Sequence, residues 1–269
     1  MPEIVFKTSY QKDTSLVMSV REFKEKYLWG LDLNRYGDVL PDSVFENALK
    51  AAQERIEEYL QLKLNKQVYV ETKHFWNEDW LNWGYIPTQF PVTCALEVAG
   101  FLGTVRQTLY PREWLSVKST SDGQYMHRMM YLVPNVNSTY NQVIVFQGIL
   151  PNINYMANRQ IPNYWHVVYG TGFDPGKIPA TILQVIGKLA AIDVLAVASD
   201  GLMPYPGIAS TSISLDGLSQ SLSSVASGSN GVFGARIKQY TDDLGGKDGR
   251  SGELARLRNT YTDIMFGVA

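Results

Sequence analysis

The chain has 269 residues, of which 45% are hydrophobic, 19% charged and 12% aromatic, enough for one large core or two smaller ones. Disorder needs many charges and few aromatics, so it is excluded for most of the length. A formal net charge of −2, from 24 basic and 26 acidic residues, gives no whole-chain pull toward nucleic acid or anionic lipid.

The opening residues, Met1 to Lys7, lack a basic head followed by an apolar stretch and do not read as a signal peptide. Val20, Phe23, Tyr27 and Leu28 then recur at helical spacing, predicting a short amphipathic opener over Ser19 to Leu31. A longer helix is predicted from Asp42 to Leu64. Ser43 and Glu46 have capping-box spacing there, and Phe45, Ala48, Leu49, Ala52, Ile56, Tyr59 and Leu60 form one apolar stripe.

The texture then changes. Short β-branched or aromatic runs at 67–72, 95–101, 114–117, 129–133, 142–146 and 164–169 are separated by Pro, Gly, Asn or Asp. They predict a mostly antiparallel sheet or small sandwich, and no βαβ alternation is present. The one cysteine, Cys94, excludes an intramolecular disulfide framework and a multi-thiolate metal site, and reads as a small buried apolar residue.

Pro179 suits the first turn of a helix over residues 179–199 that is apolar nearly all round and must be buried on several sides. Its most apolar part, Val185 to Ala198, is interrupted by Lys188 and Asp193 and reads as too short for a membrane span. Taken together, these features predict a soluble protein made in a cytosol. Residues 201–230, rich in Ser, Gly and Pro, are expected to form a loop or flexible arm with a turn at Asp216-Gly217.

Two amphipathic helices are predicted over 231–269. The first is capped by Asn230 and carries Phe233, Ile237, Tyr240 and Leu244 on one face. The second follows a hinge-like Gly245 to Gly249. Its seam of Leu254, Leu257, Tyr261, Ile264 and Val268 leaves Arg256 and Arg258 to the side.

No catalytic pattern emerges. The cluster from Gly170 to Lys177 has the wrong spacing for a phosphate loop, with Thr171 where glycine is needed and Ile178 after the lysine. His74, His127 and His166 form no HExxH pair, although His74 with Glu78 and Asp79 could ligate a metal if a turn gathered them. No serine stands in G-x-S-x-G. No catalytic residue, metal or cofactor is therefore expected. Trp76, Trp80 and Trp83 suit a core or subunit interface, and alternatively a sugar-stacking platform.

Three stretches in this order resemble the phage head–tail adaptor (connector) family, whose members form a ring beneath the portal. The first is Val20 to Leu28 followed by the acidic helix Asp42 to Leu64. The second is Phe90-Pro91-Val92-Thr93 followed by Leu96-Glu97-Val98. The third, and most specific, is Trp165 to Phe173 followed by Ile178-Pro179-Ala180 and the apolar helix. The likeness covers roughly residues 19–200 in outline; residues 201–269 have no counterpart in the minimal fold.

The expectation is an α+β chain with a helical layer, an inserted β-rich region and a C-terminal helical arm. Residues 1–200 would be the adaptor core, with helices near 42–64 and 179–199 and the insert at 66–172. The family implies a structural virion protein of the neck, assembled in the host cytoplasm, twelve copies to a ring, joining portal to tail or neck protein. DNA would pass without specific binding, and no membrane is involved. The terminal seam would dock on the portal or a neighbour. The rival reading is a glycan-binding particle protein using the three tryptophans.

Overall fold

The run Tyr164 to Tyr169 is apolar at every position but His166, and such a strand needs neighbours on both sides. It has them. The computed structural model describes residues 15–33, 39–76, 85–117, 127–133, 160–202, 210–215, 218–223, 233–246 and 251–263. Two compact units divide the described residues: those of 61–177 with 261–263, and those of 15–60 with 178–260.

The first unit contains β1 (Gln67–Trp76), β2 (Tyr85–Pro87), β3 (Cys94–Leu102), β4 (Val105–Leu109), β5 (Leu115–Ser116), β6 (Met129–Leu132) and β7 (Gln160–Thr171). One antiparallel sheet runs β1-β7-β3-β4 and a second runs β2-β6-β5. Both line the same core. Phe75, Val98, Tyr164, Trp165, Val167 and Tyr169 come from the larger sheet, and Ile86, Met130 and Leu132 from the smaller. Trp165 sits among the rings of Phe75, Tyr110 and Tyr164 at centroid distances of 6.2, 5.5 and 4.8 Å.

Runs read as strands at 67–72, 95–101, 129–133 and 164–169 thus become β1, β3, β6 and β7. At 114–117 only Leu115–Ser116 is extended, because Arg112–Trp114 closes a 3-10 turn with the Trp114 amide on the Pro111 carbonyl. The run at 142–146 lies outside the described residues. β2 is too short for periodicity to reveal, and β4 reads as polar because it is an exposed sheet edge.

The second unit is helical. It contains α1 (Val20–Tyr27), α2 (Asp42–Leu60), α3 (Ala180–Leu202), α4 (Gly234–Gly245) and residues 253–260 of α5 (Glu253–Asp263), with a hairpin of β8 (Ser210–Leu215) and β9 (Leu218–Ser223). The expected α+β class is therefore present, all described strand pairs being antiparallel.

Several local expectations are corrected. Ser19 caps α1, its Oγ accepting the Glu22 amide, and the helix stops at Tyr27 rather than near Leu31. α2 begins at Asp42 with the Val44 amide on the Pro41 carbonyl, so Ser43 lies inside the first turn and does not cap it. α2 ends at Leu60, four residues early, because Gln61 adopts φ 50, a left-handed conformation that terminates helices. The Arg128 guanidinium holds this residue through its side-chain and main-chain oxygens at 2.6 and 3.2 Å. Tyr59 leaves the apolar stripe and is 41% exposed.

The serine-rich stretch is not simply a loop. Ser210–Leu215 and Leu218–Ser223 pair in register, with Leu215 opposite Leu218 across the expected turn at 216–217. Asn230 lies outside the described residues, and Phe233 stands at the start of α4 without a side-chain cap.

α3 spans 23 residues, longer than the apolar run that suggested it. By length and composition, Ala180–Ser199 could cross a membrane, with a mean hydropathy of 1.8; the expectation that it is too short is thereby corrected. Its environment here is protein. Ile182, Val185, Ile186, Ala190, Ala191, Val194, Leu195 and Ala198 are buried, Asp193 pairs with Arg55 of α2 at 3.0 Å, and Lys188 is likewise ion-paired. Gly187 admits α1: a Cβ there would overlap the Tyr27 ring.

α2 and α3 run in the same direction. Phe23 and Lys24 of α1 meet Phe45 and Asp42 at the start of α2, while Tyr27 meets Leu183 and Gly187 near the start of α3. Ten residues beyond Phe45, Arg55 meets Asp193, six beyond Gly187.

Candidate functional site

Two places gather residues that the sequence singled out, one in each unit. The first is a joint in the β-rich unit. Here Phe90-Pro91-Val92-Thr93 and the phrase Trp165 to Phe173, 72 residues or more apart in the sequence, are brought together. The Thr93 amide donates to the Gly170 carbonyl at 2.8 Å, and the Phe90 amide donates to the Tyr169 hydroxyl at 3.2 Å in a buried position. Phe90 also stands edge-on to Tyr69, at 4.8 Å between centroids.

The glycines of this phrase serve close approach of backbones rather than phosphate. Gly170 faces Cys94, whose sulfur would lie 2.5 Å from a Cβ at that position. Gly172 has φ +91, and a Cβ there would overlap the Asn65 carbonyl. The Phe173 amide donates to the Leu64 carbonyl at 3.1 Å, and Asp174 pairs with Lys66 at 2.6 Å. Hydrogen bonds from Lys66 and then Lys177 hold the Asp174 carboxyl below its ordinary range. The segment entering β1 and the segment leaving β7 are thus tied to each other.

Tyr169 organises the joint. Burial, then the neighbouring Glu71 carboxylate, pushes its phenol far above the usual tyrosine range, so it stays protonated at any physiological pH. Glu71 in turn accepts the Gln89 amide at 3.0 Å. Tyr169→Phe should fold but lose stability by about 1–3 kcal/mol, because the buried Phe90 amide is left without its acceptor. Denaturant unfolding measures this. An unchanged midpoint would show that Phe90 finds another partner.

The second place is an ion-pair node in the helical unit. Lys188 of α3, mostly buried, reaches Asp243 of α4 at 2.9 Å and Glu253 at the start of α5 at 2.5 Å. Burial lowers its pKa, but the hydrogen bonds to Glu253 and Asp243 outweigh that and raise it above its ordinary 10.5. The node's contribution is therefore complete below pH 10.5 and is lost only as the pH rises through the higher folded value. Beside it Tyr240 donates to the Tyr27 carbonyl at 3.0 Å. A pocket of about 590 Å³ lies among these groups, lined also by Met18, Lys26, Gln184 and Gln239.

This geometry revises the reading of the terminal seam. Leu257 and Tyr261 are each only 5% exposed, Leu254 is half-buried, and Ile264 and Val268 lie outside the described residues. Of the expected hinge, Gly245 to Gly249, only Gly245 and Gly246 are among the described residues. Gly246, at φ +72, and Gly252 bring their backbones together, so that a Cβ on Gly252 would overlap the Leu244 carbonyl. A docking role for Leu257 or Tyr261 requires α5 to leave this position.

The remaining candidates disperse. Trp76 ends β1, its backbone opposite Gln160, while Trp80 and Trp83 lie outside the described residues, as do Glu78 and Asp79. The His74 Nδ1 accepts the Asn163 amide at 3.0 Å, the His127 carbonyl accepts from Val92, and His166 stands edge-on to Phe101. Among the described residues no three His, Cys, Asp or Glu side chains converge as a metal site would need. Sequence reading missed the Lys188 node, although a lysine on an otherwise apolar helix, followed by acidic residues on the next two helices, was its signal.

No protein-family model and no curated protein matches the chain. Among solved structures it is similar to a chain in the "Neck of empty GTA particle computed with C6 symmetry". The TM-score is 0.44 and the identity 13%, over 86% of this chain and 94% of that one.

Proposed function

We propose that this chain is a structural subunit of the neck of a phage-like particle, a head-to-tail adaptor that forms a ring through which DNA passes. The proposal concerns the same kind of assembly as the neck named above, but takes its support from the residues. The observation that carries it is the joint. Two of the three adaptor-like stretches, Phe90 to Thr93 and the most specific, Trp165 to Phe173, are in direct hydrogen-bonded contact. The Ile178-Pro179-Ala180 that follows leads straight into α3. A short sequence likeness of chance origin has no reason to meet in space.

A ring subunit needs no catalytic centre, and a channel for sliding DNA should not grip phosphates, which a net charge of −2 suits. The portal on one side and a tail or neck protein on the other are the partners this role requires, with twelve copies the number the family implies. Loss of the chain from an otherwise intact particle genome tests the role. DNA-filled heads accumulating without attached tails are the expected result. Tailed particles that merely fail to adsorb to cells would instead assign the chain to host recognition.

A further inference from the structure

Helix α3 lies between two unlike surfaces. Asp193 marks the flank covered by α2, and Lys188 the flank covered by α4 and α5. Five residues of α-helix separate them, a rotation of about 140° around the axis, so the two surfaces face nearly opposite ways.

The α2 side is acidic and has an apolar centre. α2 and α3 run in the same direction and meet at Arg55–Asp193, and helical periodicity puts Tyr59 and Val197 one turn further along the same two faces. These two are 41% and 53% exposed. Glu54 and Glu58 flank them one turn apart, both exposed and with no ion pair among the described residues. Like charges at that spacing repel each other. On the other side, Lys238 of α4 and Arg256 and Arg258 of α5 are exposed cations with no ion pair among the described residues.

We infer that the Tyr59–Val197 patch, rimmed by Glu54 and Glu58, is the seat for the α4–α5 surface of a second copy of this chain, whose Lys238, Arg256 and Arg258 supply the opposite charge. Opposite charge on opposite flanks of one helix makes the contact head-to-tail, and a head-to-tail contact generates a ring or filament rather than a closed pair. The inference rests on the ring reading and supplies its subunit contact. Glu54 and Glu58 repel each other at that spacing, and cations that would relieve the repulsion are on the chain itself.

Charge exchange tests this with the full-length protein, by sedimentation and native mass measurement over a concentration series. The wild type should associate, and more weakly as salt is raised. Glu54→Lys with Glu58→Lys should raise the concentration needed for association by about tenfold or more, which corresponds to at least 1.4 kcal/mol. Arg256→Glu with Arg258→Glu should do the same. Circular dichroism and Tm should stay as in the wild type, because all four side chains are exposed. Mixing the two variants should restore association in alternating order, since each then carries the charge the other lacks.

Loss in each variant without recovery on mixing overturns the pairing. Association unchanged in both variants places the contact elsewhere and leaves the ring reading standing. A wild type that stays monomeric at all concentrations overturns the contact as drawn, whereas the ring reading itself falls only if the chain is absent from the neck of particles.

Discussion

Gly172→Ala should be the most damaging single substitution in the chain. At φ +91 any L side chain is strained, and here the added methyl also runs into the Asn65 carbonyl, which is backbone and cannot rotate away. Relief means separating the Leu64–Lys66 segment from the end of β7. That breaks the Phe173–Leu64 hydrogen bond and the approach that lets Lys66 reach Asp174. A loss of about 3 kcal/mol or more follows, a large share of the roughly 5–15 kcal/mol that holds a typical domain folded. Expression in the insoluble fraction, with rescue of solubility only at low temperature, is the expected behaviour. A soluble variant with wild-type Tm would mean that the joint does not hold the β-rich unit together.

Removing residues 250–269 should rank second. The truncation deletes the buried Leu257 and Tyr261 and takes Glu253 from Lys188. Deleting one buried leucine alone costs about 2–5 kcal/mol, and Lys188 would keep only Asp243 in a mostly buried setting. The sequence alone favours a detachable clip, for which the shortened chain would fold and merely fail to join the particle. The close Gly246–Gly252 contact and the buried seam favour the opposite: a clear fall in Tm, with exposure of apolar surface that binds a hydrophobic dye. A truncated chain of unchanged Tm would restore the clip reading.

The contrast between these two sites shows what the sequence could convey. Gly172 was visible as part of an adaptor-like phrase, and the wrong spacing argued against a phosphate loop there. Its partner, Asn65, lies more than a hundred residues away in a stretch without special composition, so no local pattern could name it. The apolar stripe of α2 and the burial of α3 on more than one side were legible because helical periodicity reports which faces lack water. The direction in which α2 and α3 pack was not legible, because one ion pair, Arg55 to Asp193, joins residues 138 apart in the sequence.

Where expectation and structure part, a local rule yielded to a tertiary one. α2 stops at Leu60 because Gln61 turns left-handed and Arg128 holds it there, a choice that no helix propensity of Gln61-Leu62-Lys63-Leu64 reveals. The serine-rich residues 210–223 look like linker by composition, yet alternate strand pairing closes them into a hairpin. The glycines at 245–249 read as freedom, yet Gly246 comes into close contact with Gly252. Glycine permits close approach as readily as motion, and only the neighbours decide which.

The most direct measurement of the central claim is electron microscopy of purified particles in which this chain carries a compact tag at its N-terminus, imaged at the junction of head and tail. The account predicts tag density repeated around the axis in a closed ring at the neck, with neighbouring copies in contact through their helical units. Tag density on the capsid surface or at the tail tip, or a single off-axis copy at the junction, would contradict it.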